Sequence, residues 1–176
     1  MIVVNLIGGP GSGKSTGAAY VFAQLKMKGI NCEIVPEWAK EQVWERRQKP
    51  FENQLYVLGK QSYRLSRLRN EVDIVITDSP ILMGAFYCQS LPYAKDFTEV
   101  LVGVHNEYDN MNFFVKRVKP YNPKGRFQDE EGAKNIDKEI LKLYEKFEKG
   151  MIEVTGNEEG YNKIVEKVME NYGTRS

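Results

Sequence analysis

The fold is decided by one stretch of sequence, Ile2-Val3-Val4-Asn5-Leu6-Ile7, which runs directly into Gly8-Gly9-Pro10-Gly11-Ser12-Gly13-Lys14-Ser15-Thr16. The first part is short, mostly apolar and β-branched, as is typical of a buried strand in a parallel sheet. Beyond the glycines, apolar residues recur at helical spacing, at Ala18, Val21, Phe22 and Leu25. The stretch therefore predicts a strand, a glycine-rich loop and a helix in that order.

Between this strand and this helix, the pattern G-x-x-x-x-G-K-[ST] is typical of a loop that binds phosphates. Glycine permits positive φ and lets the backbone approach a phosphate, while the loop N–H groups and the helix N-terminus attract the anion. Lys14 adds a mobile charge for the β- and γ-phosphates, and the Ser15 hydroxyl is a ligand for Mg²⁺. The alternative, a glycine-rich turn that binds nothing, is disfavoured by the elements on either side. The residues predicted to bind ATP here are Gly8, Gly9, Pro10, Gly11, Ser12, Gly13, Lys14, Ser15 and Thr16.

Composition narrows the class of protein. The chain has 176 residues, 41% of them hydrophobic, and a formal net charge of +1. We expect one domain over residues 1–176, and the charge argues against nucleic-acid binding through bulk charge. Cys32 and Cys88 have no metal-ligand spacing and are predicted to be buried thiols in a reducing compartment. With no membrane-length apolar run and a core strand at the N-terminus, we expect a cytoplasmic protein without a leader peptide.

Strands and helices alternate along the whole sequence. Strands are predicted over 2–7, 31–35, 73–77, 112–115 and 151–155. The helix over 53–69 is expected to bury Leu55, Leu58, Leu65 and Leu68. This pattern predicts an α/β fold of three layers, with a five-stranded parallel sheet between helices. Ligands of such sheets lie beyond the carboxyl ends of the strands, where the sequence places residues 8–15, Glu37, Asp78, Arg117 and 155–157.

Three further segments identify a family resemblance. They are Val35-Pro36-Glu37-Trp38-Ala39-Lys40-Glu41, Phe51-Glu52-Asn53-Gln54-Leu55-Tyr56 and Asp78-Ser79-Pro80. The first looks like the Glu-bearing segment of deoxynucleoside kinases and ribosylnicotinamide-kinase-like ATPases, and the second is similar to the aromatic–Gln segment with which deoxynucleoside kinases read a base. The third stands where those families carry an Asp-Arg-Ser-like turn. The chain thus resembles the small P-loop nucleoside and nucleotide kinases, and we expect relatives among bacteriophage enzymes.

Other P-loop classes fit less well. The guanine-reading motif Asn-Lys-x-Asp of GTPases is missing, since Asn162-Lys163-Ile164-Val165 has valine in the acidic position. The chain is also too short to add the helical domain of a ring ATPase after a complete core.

Two carboxylates are candidates for the chemistry. Asp78 follows an apolar strand, where P-loop enzymes hold Mg²⁺ through water; the alternative is a helix cap or turn residue. Glu37 follows the neighbouring strand and is predicted to accept the proton of the acceptor hydroxyl. Its alternative is an exposed carboxylate at a helix start. Both are predicted to be catalytic together with Lys14, and Ser15 with Asp78 is predicted to bind the metal.

A basic segment over about 116–129 is predicted to be a lid. It carries Lys116, Arg117, Lys119, Lys124 and Arg126. Small kinases meet the charge of the transferred phosphoryl group with arginines from a mobile lid, and Arg117 and Arg126 are predicted to do so here. The segment departs from the family because it is proline-rich, and a solvated loop is the alternative.

The acceptor is expected to bind between the second and third strands. Trp38, Phe51, Gln54 and Arg64 are the predicted substrate-binding residues, because aromatic rings stack on bases and an amide reads their edges. The alternatives are core packing for the aromatics and a helix ion pair for Arg64. Asn157, after the fifth strand, is predicted to lie beside adenine, as implied by the family resemblance.

Three functions remain open from sequence. The first is an ATP- and Mg²⁺-dependent phosphotransferase acting on a nucleoside or nucleotide. The second is a kinase for a hydroxymethylated base, of the 5-hydroxymethyluracil type, in phage DNA. The third is an NTP-dependent switch or binding module. The sequence leaves the acceptor and the oligomeric state open, a dimer included.

Overall fold

A computed structural model describes residues 1–47, 49–118, 130–147 and 150–174 of the chain. Within these residues, five strands form one parallel sheet in the order β2-β3-β1-β4-β5. The strands are β1 (Ile2–Ile7), β2 (Cys32–Val35), β3 (Ile74–Thr77), β4 (Asp109–Lys116) and β5 (Ile152–Thr155). The structure therefore confirms the predicted α/β fold with a five-stranded parallel sheet.

Helices cover both faces of the sheet. They are α1 (Lys14–Met27), α2 (Trp38–Trp44), α3 (Gln54–Ser66), α4 (Gly84–Tyr87), α5 (Ala94–His105), α6 (Glu130–Phe147) and α7 (Glu158–Gly173). Short 3₁₀ helices span Lys49–Glu52 and Ile81–Met83. None of the helices in the described part of the chain has the length and apolar character that a membrane crossing requires.

The core has two halves because side chains of a strand alternate between the faces of the sheet. In β1, Ile2, Val4 and Leu6 pack with apolar residues of α1 and α7 on one face. Val3 and Ile7 pack on the other face with buried side chains of α3, α5 and α6. Burying each such side chain stabilises the fold by about 1.5–3 kcal/mol. The predicted burial of the thiols of Cys32 and Cys88 is confirmed.

The order of the strands creates the crevice that holds the site. From β1 the chain moves outward to β2, and from β3 it crosses to β4 on the other side of β1. The loops that follow the adjacent strands β1 and β3 therefore leave the sheet in opposite directions, and such a switch point is where α/β sheets bind ligands. The glycine loop follows β1, and Asp78 follows β3.

The structure corrects several sequence-based expectations. Leu55 is 57% exposed, so the apolar face of α3 is narrower than predicted. The short helix α4 and the 3₁₀ turn before it were not predicted, because neither is long enough to show a helical period. β4 begins three residues earlier than expected, and its first two residues, Asp109 and Asn110, are polar.

The polar start of β4 is stabilised by an asparagine cluster. Asn5, which is buried in β1, donates both amide hydrogens, to Asn110 Oδ1 at 2.9 Å and to Asn112 Oδ1 at 2.9 Å. Hydrogen bonds compensate the burial of these amides. A prediction based on apolar runs cannot see this pairing.

One close contact joins the loop after β5 to the glycine loop. Gly156 donates its backbone N–H to the Lys116 carbonyl at 2.8 Å. A Cβ at residue 156 would fall against the Ser12 carbonyl oxygen, closer than two such atoms can approach. Only glycine fits here without moving backbone.

We expect Gly156→Ala to destabilise the protein by about 1–3 kcal/mol, the usual effect of overpacking. Gly103→Ala is the matched control, because no atom lies within 4 Å of a Cβ there and the residue is in α5. That control should be stabilised by up to about 1 kcal/mol. Urea unfolding of both variants measures the difference, and equal stabilities would contradict the contact.

Candidate active site

The glycine loop has the backbone that its sequence predicts. Gly8, Gly11 and Gly13 have φ values of 147°, 77° and 104°, which residues with a Cβ rarely adopt. Gly13 is the N-cap of α1, and its left-handed conformation directs the chain into the helix. The first backbone N–H groups of α1, which begins at Lys14, have no partner within the helix and are suited to an anion.

Lys14 lies folded over this loop. Its Nζ donates to the carbonyl oxygens of Gly8 at 2.6 Å and Gly9 at 3.1 Å. Burial lowers the pKa of the ammonium, and the negative charges of Glu37, Asp78 and Asp137 oppose that shift. The site thus holds a desolvated cation at the mouth of a loop built for anions, an arrangement that fits a polyphosphate.

Asp78 connects the glycine loop to the start of α2. It is 7% exposed and accepts a hydrogen bond from Ser15 Oγ at 2.5 Å through one oxygen. Its other oxygen accepts the backbone N–H of Glu37 at 3.1 Å. Asp78 therefore contacts Ser15, which the sequence predicts to be at the phosphate site, and Glu37, which it predicts to be the base.

The Ser15–Asp78 pair suits a magnesium ion. A hydroxyl and a carboxylate oxygen are hard donors, and Mg²⁺ in phosphoryl-transfer sites commonly takes one or two carboxylates and completes its shell with phosphate oxygens and water. The described part of the chain has no group of three or more His, Cys, Asp or Glu residues that could hold a metal ion. A metal at Ser15 and Asp78 therefore needs phosphate oxygens and water as further ligands. The residues present fit Mg²⁺ bound together with a nucleotide.

Glu37 lies between β2 and α2 and is partly buried. It has the N-cap position of α2, but its side chain makes no capping hydrogen bond. Burial raises the pKa of its carboxyl; the Lys14 ammonium opposes the shift, and the charge of Asp78 adds to it. The carboxylate is therefore more basic than an exposed glutamate, which suits a proton acceptor.

Asp137 of α6 is a site residue that the sequence did not reveal. Its Oδ1 accepts the backbone N–H of Gly9 at 2.6 Å, and its Oδ2 lies 3.0 Å from Arg117 Nη2. Arg117 Nη2 also donates to the Pro10 carbonyl at 2.8 Å, and its side chain is 7% exposed. This ion pair ties α6 and the end of β4 to the glycine loop. Nothing in the local sequence of a helix signals such a contact.

The described contacts of Arg117 are thus with the loop and with α6. Its contact with a transferred phosphoryl group stays a prediction. Arg126 and most of the predicted lid, residues 119–129, lie outside the described residues. Lys116, at the end of β4, forms an exposed ion pair with Glu153.

Tyr161 of α7 contacts the C-terminal end of the glycine loop. It is buried, and its hydroxyl donates to the Gly13 carbonyl at 2.9 Å. A Cβ on Gly17 would lie 2.6 Å from its ring, so α1 and α7 approach closely here. Asn157 is the N-cap of α7: its Oδ1 accepts from Gly160 N at 3.1 Å and from the Thr155 hydroxyl at 2.6 Å. Its predicted place beside adenine stays a prediction.

A cavity of about 160 Å³ adjoins Glu37. It lies among the start of α2, α3, α4 and the segment that follows β3. Its lining is mostly apolar, and its polar side chains are Glu37, Gln54, Gln61, Ser79 and Tyr87. Such a cavity beside a phosphate loop is suited to an acceptor molecule.

The four predicted acceptor residues separate into two pairs. Phe51 and Gln54 line the cavity, with Gln54 Nε2 donating to the Phe51 carbonyl at 2.9 Å. Trp38 is buried with its ring edge-on to Tyr56, at 5.2 Å between centroids, and is not part of the lining. Arg64 is also outside the lining.

Arg64 makes the helix ion pair that the sequence left as an alternative. Its Nη2 lies 2.7 Å from Glu41 Oε2, and its Nη1 donates to the Pro36 carbonyl at 3.3 Å. Neither Trp38 nor Arg64 lines the cavity, and their roles in substrate binding stay predictions.

Gln61 and Tyr87 are cavity residues that sequence reasoning missed. Gln61 follows Gln54 by two helical turns, and that spacing was the available signal. Tyr87 belongs to the unpredicted α4. Although 56% of Tyr87 is exposed, burial around its hydroxyl, helped by the charge of Glu37, raises the pKa of Tyr87 to about 12. The phenol is neutral at physiological pH.

Comparisons with known proteins agree with this architecture. A family model described as an AAA domain matches residues 3–160. Thymidylate kinase from Ehrlichia chaffeensis is one of the solved structures that resemble the chain, with a TM-score of 0.60, 12% sequence identity and 98% of each chain covered. At that identity the likeness concerns the fold. The comparison with curated proteins gave no match.

We expect Asp137→Ala to destabilise the protein by about 3 kcal/mol, because breaking a buried ion pair leaves the remaining partner desolvated. A double-mutant cycle with Arg117→Met in urea unfolding checks the origin of the loss. The double variant should lose less free energy of unfolding than the two single variants together. Strictly additive losses would contradict the coupling between Asp137 and Arg117.

We expect Glu37→Gln to stabilise the protein near neutral pH. At a pH below the pKa of glutamate in the unfolded chain, Glu37 is protonated in both the folded and the unfolded state. The raised pKa then does not lower the stability of the fold. As the pH rises through the folded pKa, the fold must hold a desolvated carboxylate and loses stability relative to the variant.

Urea unfolding of Glu37→Gln and wild type from pH 4 to pH 8 measures this difference. Glu45→Gln, in an ion pair with Arg47 that is more than half exposed, is the control and should show no such trend. A stability difference between Glu37→Gln and wild type that does not change with pH would contradict the raised pKa of Glu37.

Proposed function

This chain belongs to the AAA domain family, and from that premise we propose that it is an ATP-dependent phosphotransferase that moves the γ-phosphate to a nucleoside or nucleotide. The observation that carries the proposal is the convergence of three features at one switch point. These are a phosphate loop, the Asp78 carboxylate on Ser15, and Glu37 at the wall of a cavity. A nucleotide-binding switch has no need of an acceptor cavity beside its phosphates.

The kinase-like form of the fold supports the same proposal. The likeness to thymidylate kinase extends over 98% of both chains, so it includes the segments around the cavity as well as the phosphate loop. Residues 3–160, which match the AAA domain model, include nearly all of β1 and extend through β5 to the start of α7.

In the proposed reaction, Glu37 takes the proton of an acceptor hydroxyl, whose oxygen attacks the γ-phosphorus of ATP while the bond to the β-phosphate oxygen breaks, leaving ADP. Lys14 leaves the loop carbonyls to contact the β- and γ-phosphates. Asp78 keeps the loop and Glu37 at a fixed separation, which orients the reactants. Mg²⁺ on Ser15 and Asp78 would neutralise the charge of the phosphates and the leaving group.

The test is nucleotide consumption with and without acceptors. Wild-type protein with ATP and Mg²⁺ should form ADP faster when a suitable member of a panel of nucleosides, nucleotides and DNA with 5-hydroxymethyluracil is added. Slow hydrolysis that no acceptor changes would contradict the kinase and favour the switch.

Glu37→Gln should lower the acceptor-dependent turnover by about 10²- to 10⁴-fold, the usual contribution of a general base, and leave the binding of an ATP analogue intact. Glu45→Gln, on the exposed end of the same segment, should keep full turnover. The kcat/KM of wild type should fall with acidification through a pKa above the ordinary glutamate range. Near-normal turnover of Glu37→Gln would remove Glu37 from the role of base.

A further inference from the structure

We propose that the group bound in the cavity beside Glu37 is an uncharged, carbonyl-bearing heterocycle, as in a nucleoside, and that Gln61 selects it by donating a hydrogen bond. A nucleoside 5′-phosphate is thereby excluded as the preferred acceptor. The inference rests on the proposed function and narrows its substrate class.

The first observation is the state of the Gln61 amide. Gln61 is 5% exposed and lines the cavity. Its Oε1 accepts the backbone N–H of Trp38 at 3.2 Å, which fixes which end of the amide is oxygen. Its Nε2 is buried, and within the described part of the chain it has no hydrogen-bond partner.

A buried donor without a partner is unusual in a folded protein. Its unfavourable contribution to the free energy is removed when a bound ligand accepts a hydrogen bond from it. A carbonyl oxygen or a ring nitrogen of a heterocycle is an acceptor of the right kind. Gln61 is therefore suited to read the edge of a ligand that enters the cavity.

The second observation is the charge of the lining. Among the described residues that form the cavity, Glu37 is the only charged side chain, and none is Lys or Arg. The other polar side chains, those of Gln54, Gln61, Ser79 and Tyr87, are neutral. A phosphate dianion placed here would face a carboxylate in a mostly apolar space, which is strongly unfavourable.

Arg64, a cation of α3, does not change this balance. Arg64 lies outside the lining and is held by Glu41 and the Pro36 carbonyl. Lys14 belongs to the phosphate loop, where the triphosphate requires it. Ser79, in the turn after Asp78, adds a neutral hydroxyl to the lining.

The third observation is size. The cavity of about 160 Å³ is smaller than the roughly 300–1,000 Å³ typical of sites for drug-sized ligands. It suits a single heterocycle, with the sugar or another hydroxyl-bearing group directed toward Glu37. The Phe51 ring and the aliphatic lining offer that heterocycle an apolar contact.

The experiment measures binding and turnover separately. Calorimetry with an ATP analogue and Mg²⁺ present compares thymidine, deoxyuridine, deoxycytidine and deoxyguanosine with their 5′-monophosphates. Steady-state ADP formation is measured with the same compounds, and with an oligonucleotide that carries 5-hydroxymethyluracil as a second source of an uncharged base.

The variants are Gln61→Glu and Gln61→Met. The first keeps an oxygen for the Trp38 N–H but removes the donor, and the second removes both ends of the amide. Gln42→Glu is the control, because Gln42 is the other buried glutamine among the described residues and does not line the cavity. The melting temperature and the KM for ATP report whether each variant folds.

We expect an uncharged nucleoside, free or within the oligonucleotide, to bind and react in preference to any monophosphate. The acceptor KM should rise about tenfold or more in both Gln61 variants, as expected for one lost hydrogen bond in an apolar site. The KM for ATP of every variant and the acceptor KM of Gln42→Glu should stay close to wild type.

Three results would overturn the proposal. These are preference for a monophosphate, an unchanged acceptor KM in both folded Gln61 variants, and no binding of any compound of the panel. Binding of a nucleoside through Gln61 without any ADP formation would instead contradict the phosphotransferase and leave the cavity assignment standing. Failure of the inference and failure of the proposed function are therefore distinguishable.

Discussion

The bridge made by the Asp78 carboxylate is the interaction on which the site depends. One oxygen holds the Ser15 hydroxyl of the glycine loop, and the other holds the backbone N–H of Glu37. The bridge exists because β1 and β3 are neighbours while the chain leaves them toward opposite edges of the sheet. The phosphate loop and the cavity wall are therefore fixed relative to each other by a single buried side chain.

The charges around this bridge lower the stability of the fold, and the same charges suit the site to phosphoryl transfer in the proposed reaction. Lys14 is desolvated among three carboxylates, and Glu37 carries a raised pKa. On the far side of the loop, Asp137 and Arg117 hold Gly9 and Pro10 by buried polar contacts. The loop is thus held by Asp78, which follows β3, and by Asp137 of α6. In the proposed reaction the triphosphate would bind to the rest of the loop. Preorganised charge of this kind is effective because it need not rearrange during the reaction.

Sequence determined most of the fold because its signals are local. The β1–loop–α1 stretch, and the placement of Asp78 and Glu37 at strand ends, follow from patterns within a few residues. Asp137 could not be predicted, because its partner Gly9 lies 128 positions away and one polar residue on a helix carries no periodic signal. Tyr87 was hidden in a four-residue helix. The start of β4 was missed because its asparagines are satisfied by Asn5 on another strand. Trp38 and Arg64 were chosen because their residue types suit a ligand; in the structure they contact Tyr56 and Glu41, and their roles in binding the acceptor stay predictions.

The most direct measurement is a crystal structure with Mg²⁺ and an ATP analogue that cannot be hydrolysed. The account predicts that the triphosphate lies in residues 8–15, that Lys14 Nζ has moved from the Gly8 carbonyl to the phosphates, and that Mg²⁺ lies beside Ser15 and Asp78. The γ-phosphate should face the cavity that Glu37 lines. A nucleotide bound elsewhere, a metal far from Asp78, or a Glu37 carboxylate directed away from the γ-phosphate would contradict it.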